Sequence, residues 1–198
     1  MSYLVDVGEV NGRCFLCWAG IGLDAQVTAA MEPRQRRTKR LGVLPYAIAA
    51  VLVARDFQGV RARVSLDGNV VRGRTLLILV SNIQQYIGIL NVAREARMDD
   101  GLLDVFVFKG LGFQYAVRHL LKIISQRYLR DPQVVHRQAR RIEVWTEWAI
   151  PVQVDGDPIG TTPVTLKVVP RALRVLVPPS APHSLFDSTA QGEQVPRT

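Results

Sequence analysis

Apolar positions along this chain repeat every second residue more often than every three to four. The runs YLVDVGEV and RCFLCWAGIG flank Asn11-Gly12, a dipeptide suited to a two-residue turn, and predict an opening hairpin. After Gly20 and Gly22 the pattern changes, and LDAQVTAAM predicts a short helix. LGVLPYAIAAVLVARDF, residues 41–57, has helical periodicity, with Pro45 placed to sit in the first turn. From Val60 the period returns to two. VRARVSL and NVVRGRTLLILVSN flank Asp67-Gly68 and predict a second hairpin, and the unbroken TLLILV run predicts a strand covered on both faces. QQYIGILNVAREARMDDG reads as a long irregular loop and LLDVFVF, residues 102–108, as a strand. GFQYAVRHLLKIISQRYL places Tyr115, Val117, Leu120, Leu121, Ile124 and Tyr128 at helical spacing and predicts an amphipathic helix. QVVHRQ, RRIEVWTE, AIPVQV, TPVTLKVV and LRVLVP complete the strands.

Many strands joined by tight turns predict a mainly β (α+β) fold: a two-layer antiparallel β-sandwich with two or three helices at one end. The sequence has no βαβαβ alternation, no glycine-rich phosphate loop opening a helix, and no internal repeat. One domain is expected over residues 1–179. The segment 180–198, small and polar with scattered prolines, is expected to be a disordered tail.

Of the 198 residues, 48% are apolar and 21% charged, enough to bury a core and too few charges for a disordered body. The net charge is +8, which favours anionic partners: nucleic acid, phosphate-bearing ligands or acidic membranes. Five cations fall between Arg34 and Arg40, a run that suits either a solvated surface or contact with an anionic membrane. Trp18, Trp145 and Trp148 are not interleaved with that run, so no base-stacking platform is expected and nucleic acid is set aside. Cys14 and Cys17 have neither a second pair nor clustered histidines, and read as buried free thiols of a reducing cytosol. Asp6 and Glu9 argue against an N-terminal signal peptide, and no run approaches the roughly 20 apolar residues of a membrane span. The expected location is cytoplasmic, with peripheral membrane contact left open.

Two acidic turns can carry chemistry. In Arg97-Met98-Asp99-Asp100-Gly101-Leu102, a carboxylate and neighbouring carbonyls are either a plain turn or hard oxygen ligands for a cation. In Val154-Asp155-Gly156-Asp157-Pro158, the choice is between a hairpin turn and a rigidly held general base.

Six segments in order, AGIGLDAQV, RLGVLPYAIAAV, SLDGNVVRGRTLLILVSN, YIGILNVAREARMDDGLLDVFVF, VQVDGDPIG and VVPRALRVLVPP, together resemble the bacterial soluble diacylglycerol kinase and lipid kinase family. That family has a nucleotide domain bearing Gly-Gly-Asp-Gly-Thr and a second, β-sandwich domain on the acceptor-lipid side. The resemblance implies that this chain corresponds to the second domain, because no Gly-Gly-Asp-Gly-Thr occurs in it. It implies an ATP-dependent phosphotransferase acting on a lipid such as diacylglycerol, incomplete without the N-terminal ATP-binding domain and inactive alone. The family's general base falls on Asp157, where Glu is common, and its structural Mg2+ on Asp100 with the carbonyls of Arg97 and Leu102. Tyr86-Ile87-Gly88-Ile89 departs from the family's Tyr-Gly-Gly-Gly. The strand 171–179, which returns to the nucleotide domain in the family, is expected either to dock on a neighbouring chain, leaving a homodimer open, or to lie loosely on its own body. The alternative to a half-enzyme is a non-catalytic regulatory module that binds lipid or an anionic membrane.

Overall fold

The computed structural model describes residues 2–31, 44–86, 90–178 and 183–186. The basic run 34–40, residues 87–89 of the departing loop and most of the tail lie outside them.

The chain begins with β1 (Ser2–Val10), β2 (Arg13–Phe15) and β3 (Trp18–Gly22), then α1 (Leu23–Met31) and α2 (Leu44–Asp56). β4 (Val60–Leu66) and the long β5 (Asn69–Ser81) follow, then the two-residue pair β6 (Gln85–Tyr86) and β7 (Leu90–Asn91). β8 (Leu103–Lys109), α3 (Gly112–Ile124), β9 (Val134–Ala139), β10 (Arg141–Thr146), β11 (Pro151–Val154), β12 (Asp157–Thr161) and β13 (Val164–Leu176) complete the order. All pairings are antiparallel, and the main sheet runs β12-β11-β3-β5-β4-β10-β13-β1-β2, with β9-β8 branching from β5. β5 makes the branch by serving both layers. Its first half, Asn69–Thr75, pairs with β4, and its second half pairs with β3 and β8. The sheet therefore curls into the expected antiparallel sandwich. Its core is filled from both layers by residues such as Phe15, Ile21, Val64, Ile78, Val105, Ile142 and Val152.

The unbroken TLLILV run is explained by this geometry. Ile78 and Val80 point into the sandwich, whereas Leu76, Leu77 and Leu79 face the helices. Three hairpins turn on Asn11-Gly12, Asp67-Gly68 and Asp155-Gly156. In each, both residues have positive φ (47° and 88°, 47° and 89°, 49° and 96°), as a type I′ turn requires.

Four elements differ from their expected placement. Strand 171–176 does not lie loose: it continues β13 and pairs with Ser2–Val5 of β1, because β1 otherwise leaves that edge unpaired. Its side chains stay largely exposed, Leu176 at 87%. The tail docks at residues 183–186, where the Phe186 ring stacks on Tyr3 (4.1 Å), and the Leu185 and Ser184 carbonyls accept from the Met98 amide and the Gln84 side chain. Cys14 is exposed and Cys17 half-buried, since β2 is a three-residue edge strand that covers neither thiol. α3 also differs from its predicted face. It buries Ala116, His119 and Ile123, while Leu121 and Ile124 point outward.

α3 is tied to the strand after it through Asp131. The fully buried carboxylate accepts from Arg118 (2.9 and 3.1 Å), Lys122 (2.7 Å) and the Gln133 amide (3.0 Å). Burial alone would raise its pKa, but the Lys122 and Gln133 hydrogen bonds and the two cations hold it at about 2, below the ordinary 3.8. A carboxyl with a depressed folded-state pKa contributes stability above its unfolded pKa, and loses it as pH falls through the folded value. We expect Asp131→Asn to lower the unfolding free energy by about 2 kcal/mol at neutral pH. The gap to the parent should narrow as pH drops from about 4 to 2, read by denaturant titration across that range. A gap constant with pH would show that the charge contributes nothing.

Candidate functional site

The β11–β12 hairpin carries two carboxylates with opposite circumstances. The type I′ turn directs Asp155 back across the sheet, where it accepts from three consecutive amides: Leu16 (2.7 Å), Cys17 (2.9 Å) and Trp18 (2.9 Å). These N–H groups lie at the β2–β3 connection, where no neighbouring strand is placed to take all three. Asp157 points outward, its side chain 70% exposed, and makes one ion pair, with Arg13 (2.9 Å). So the turn is held by Asp155, and Asp157 is a reachable carboxylate on a fixed base.

A hydrogen-bond chain leads inward from that turn. The Gly156 amide donates to Gln153 Oε1 (2.8 Å), and Gln153 Nε2 donates to Asp24 Oδ2 (2.7 Å). The Tyr86 hydroxyl donates to the other oxygen of Asp24, a residue only 5% exposed at the start of α1. Gly20 makes room for this cluster: a Cβ there would sit 1.7 Å from Asp24 Oδ2 and 2.7 Å from Gln153 Nε2. Trp18 packs edge-on against Tyr86 (5.0 Å) and donates its indole N–H to the Gln85 carbonyl (2.8 Å).

Asp24 and Tyr86 border an open apolar cleft between α1, α2, α3 and the outer face of β5. Apart from His119 the remaining lining is apolar, including Val27, Val51, Leu79, Val117 and Leu120. The other polar residue lining it is His119, whose Nε2 meets the Lys109 carbonyl (2.7 Å) and whose buried Nδ1 has no partner. Burial lowers the pKa of this imidazole and favours its neutral form.

The Arg97–Leu102 turn forms a second locus. Asp100 Oδ1 accepts from the Leu102 amide (2.9 Å). Asp6, fully buried in β1, accepts from the Gly101 amide (2.6 Å) and the Arg171 amide (2.8 Å). Burial raises the Asp100 pKa to about 6, and repulsion from Asp104, Asp6 and Asp99 adds to it, opposed by the Leu102 hydrogen bond. Arg97 and Asp100 line one open polar basin with Gln84, Arg94, Glu95, Gln138 and Ser184. Its charged side chains balance, Arg94 and Arg97 against Glu95 and Asp100. Among the described residues, no group of three His, Cys, Asp or Glu side chains is arranged to hold a metal ion, so carbonyls would have to supply the other ligands.

Asp100 and Asp157 therefore occupy separate places, linked through the frame. Asn82 joins them: its side chain donates to the Asp6 carbonyl (2.9 Å) and the Leu16 carbonyl (3.1 Å), and its amide to the Cys17 carbonyl (3.0 Å). Reasoning from sequence missed Asp155, Asp6, Asp24, Gln153 and Arg13. Two signals were available. One was an Asp inside the otherwise apolar YLVDV strand; the other was the Asp that opens an Asp-Gly turn.

Comparison with known proteins bears on the domain as a whole. The family description "YegS C-terminal NAD kinase beta sandwich-like domain" matches residues 18–177. A diacylglycerol kinase of Bacillus subtilis is 23% identical over 183 residues, covering 92% of this chain and 60% of the relative. A "Probable lipid kinase YegS-like" of Shewanella frigidimarina is 26% identical over 181 residues, 91% of this chain and 58% of the relative. The crystal structure of a diacylglycerol kinase from Bacillus anthracis superposes with a TM-score of 0.68 at 23% identity, covering 91% of this chain and 58% of that one. The chain thus spans less than two thirds of the length of each.

The two carboxylates of the turn should separate by mutation. Three hydrogen bonds to an anion outweigh one exposed ion pair, which contributes under about 1 kcal/mol. We expect Asp155→Ala to destabilise the protein by about 3 kcal/mol and Asp157→Ala by less than about 1 kcal/mol in urea titrations. Equal losses would mean that the turn is not held by Asp155.

Proposed function

Because the chain belongs to the YegS C-terminal NAD kinase beta sandwich-like domain family, we propose that it forms the acceptor-lipid side of an ATP-dependent lipid kinase, with diacylglycerol as the type of substrate. The observation that carries this reading is the pairing of an apolar cleft with an exposed carboxylate on a stapled turn, joined through Gln153 and Asp24. Acyl chains would occupy the cleft and remove apolar surface from water at roughly 25 cal/mol per Å². Asp157 would accept the proton of the acceptor hydroxyl as its oxygen attacks the γ-phosphoryl group. Arg13, paired with Asp157, would aim the carboxylate. ATP would be bound by a nucleotide-binding segment outside these 198 residues, which contain no Gly-Gly-Asp-Gly-Thr.

Mg2+ would be held at the acidic turn by the Asp100 carboxylate and the carbonyls of Arg97 and Leu102. Bound there, it would neutralise the crowding of Asp6, Asp99, Asp100 and Asp104 and stiffen the loop. We expect chelation to lower the melting temperature of the parent and to leave that of Asp100→Asn unchanged. Equal sensitivity in both would remove the cation from this turn.

The kinase reading is tested with diacylglycerol vesicles, labelled ATP and magnesium. The chain alone should stay far below the 1–100 s⁻¹ typical of kinases. Supplying the nucleotide-binding half of the Bacillus subtilis relative should restore turnover, and Asp157→Asn should reduce it by about 10²–10⁴-fold. Full turnover with Asp157→Asn would overturn the assignment. Fluorescent diacylglycerol in detergent micelles reads the cleft separately, and Val117→Trp, which fills it, should abolish uptake.

A further inference from the structure

β4, β5 and β10 carry a group of arginines that the catalytic reading does not use. Register sets Arg61 directly opposite Arg74 and Arg63 directly opposite Arg72, with Trp145 of β10 opposite Arg63. All four arginines are exposed, whereas the alternating Ala62 and Val64 point into the core, so the cations share the outer face of the sheet. None of the four is in an ion pair among the described residues. Like charges set directly across a strand pair destabilise it. Two such pairs side by side, without carboxylate partners, point to an anionic occupant. They line one shallow groove with Trp145 and Glu147, so its side chains sum to +3.

The aromatic and apolar groups around the arginines decide which anion. Trp145 is 39% exposed, and the Arg63 guanidinium lies over its ring at 5.1 Å. The turn entering α3 is bound to β5 and to the segment before β4, its Gly110 amide to the Arg74 carbonyl (2.9 Å) and its Gly112 amide to the Gln58 carbonyl (3.3 Å). That turn exposes Leu111 (45%) and Phe113 (40%). A free phosphate would call for cations alone. Cations with an exposed tryptophan and an apolar turn match the zone where lipid phosphates meet acyl chains.

We propose that the outer face of β4–β5–β10, with the Leu111–Phe113 turn, docks this chain on an anionic phospholipid bilayer. It rests on the lipid-side reading only for the choice of a bilayer as occupant. The same outer face of β5 carries the helices around the apolar cleft, so docking would bring the cleft to the surface from which lipid enters.

The test uses the 198-residue chain and vesicles of phosphatidylcholine with or without phosphatidylglycerol. The parent should cosediment with the anionic vesicles in a salt-dependent way and ignore the neutral ones. Each arginine near such a surface is worth a factor of roughly five in partitioning. Arg63→Gln with Arg72→Gln should therefore weaken binding by about 30-fold, with the 34–40 run intact and melting temperature unchanged. With the exposed Trp148 replaced by Trp148→Phe, brominated lipid should quench the remaining tryptophan fluorescence, and adding Trp145→Phe should remove that quenching. The proposal is overturned by no binding to anionic vesicles, by parent-like binding of the double variant, or by quenching that survives Trp145→Phe. Full displacement by millimolar inorganic phosphate at constant ionic strength would assign the groove to a free anion and overturn it too. Diacylglycerol uptake in micelles reads the cleft alone, so either idea can fail without the other.

Discussion

A single carboxylate accepting three backbone amides holds the β11–β12 hairpin against the β2–β3 connection. Asp155 binds the N–H groups of Leu16, Cys17 and Trp18, at the point where the chain leaves β2 for β3. A fully hydrogen-bonded strand would offer these amides alternately to its two sides, but here they converge, and only an acceptor with several lone pairs can take all three. Everything nearby follows from that anchor. Trp18 is positioned to pack on Tyr86, the Leu16 and Cys17 carbonyls are presented to Asn82, and Asn82 passes the constraint to Asp6. Asp6 repeats the device on the other side, taking the Gly101 and Arg171 amides.

The same device recurs at the second hairpin, where Asp67 accepts from the Arg140 and Arg141 amides at 2.9 and 2.8 Å, and more weakly at Asn11, which takes the Thr165 amide at 3.2 Å. In a type I′ turn the first residue has positive φ, a conformation Asp and Asn tolerate better than most residues. Their short side chains then reach neighbouring amides. The turn chemistry that fixes hairpin register therefore also staples hairpins to each other. This division of labour leaves Asp157 free: its position comes from Asp155 and Gln153, so its own carboxylate is not consumed in holding the fold.

What the sequence made legible was whatever depends on local geometry. The Asn-Gly and Asp-Gly turns, the alternation in β4 and the doubly covered run in β5 all report on a residue and its near neighbours. What it hid depends on distant partners. Asp157 and Asp155 look alike in Val-Asp-Gly-Asp-Pro, and only the fold shows that one meets amides 137–139 positions away while the other meets solvent and Arg13. The outward Leu121 and Ile124 of α3 misled for a related reason. Helical spacing reports an apolar stripe, but not which part of it packs inward and which part faces solvent. Phe186 was lost in a polar tail because one aromatic among small residues gives no period, although its ring finds Tyr3.

Gln153 gives the cleft a route to the turn. Its side-chain amide has one acceptor and one donor end here, and each is in use, the oxygen by Gly156 and the nitrogen by Asp24, so the group cannot rotate without losing a bond at each end. An amide does not titrate in this range, so the link conveys position rather than charge. Asp24 and Tyr86 border the apolar space, and a ligand group that competed for the Asp24 carboxylate would draw on the same oxygens that hold Gln153. Loosening Gln153 would release the Gly156 amide and with it the angle at which Asp157 leaves the sheet. Gly20 keeps this coupling tight: with a Cβ there, Asp24 would have to move before any ligand arrived. An Asp lacks the reach of a Glu by one methylene, so the orientation of its short carboxylate is governed chiefly by the backbone that bears it, and that backbone is what the cleft can influence.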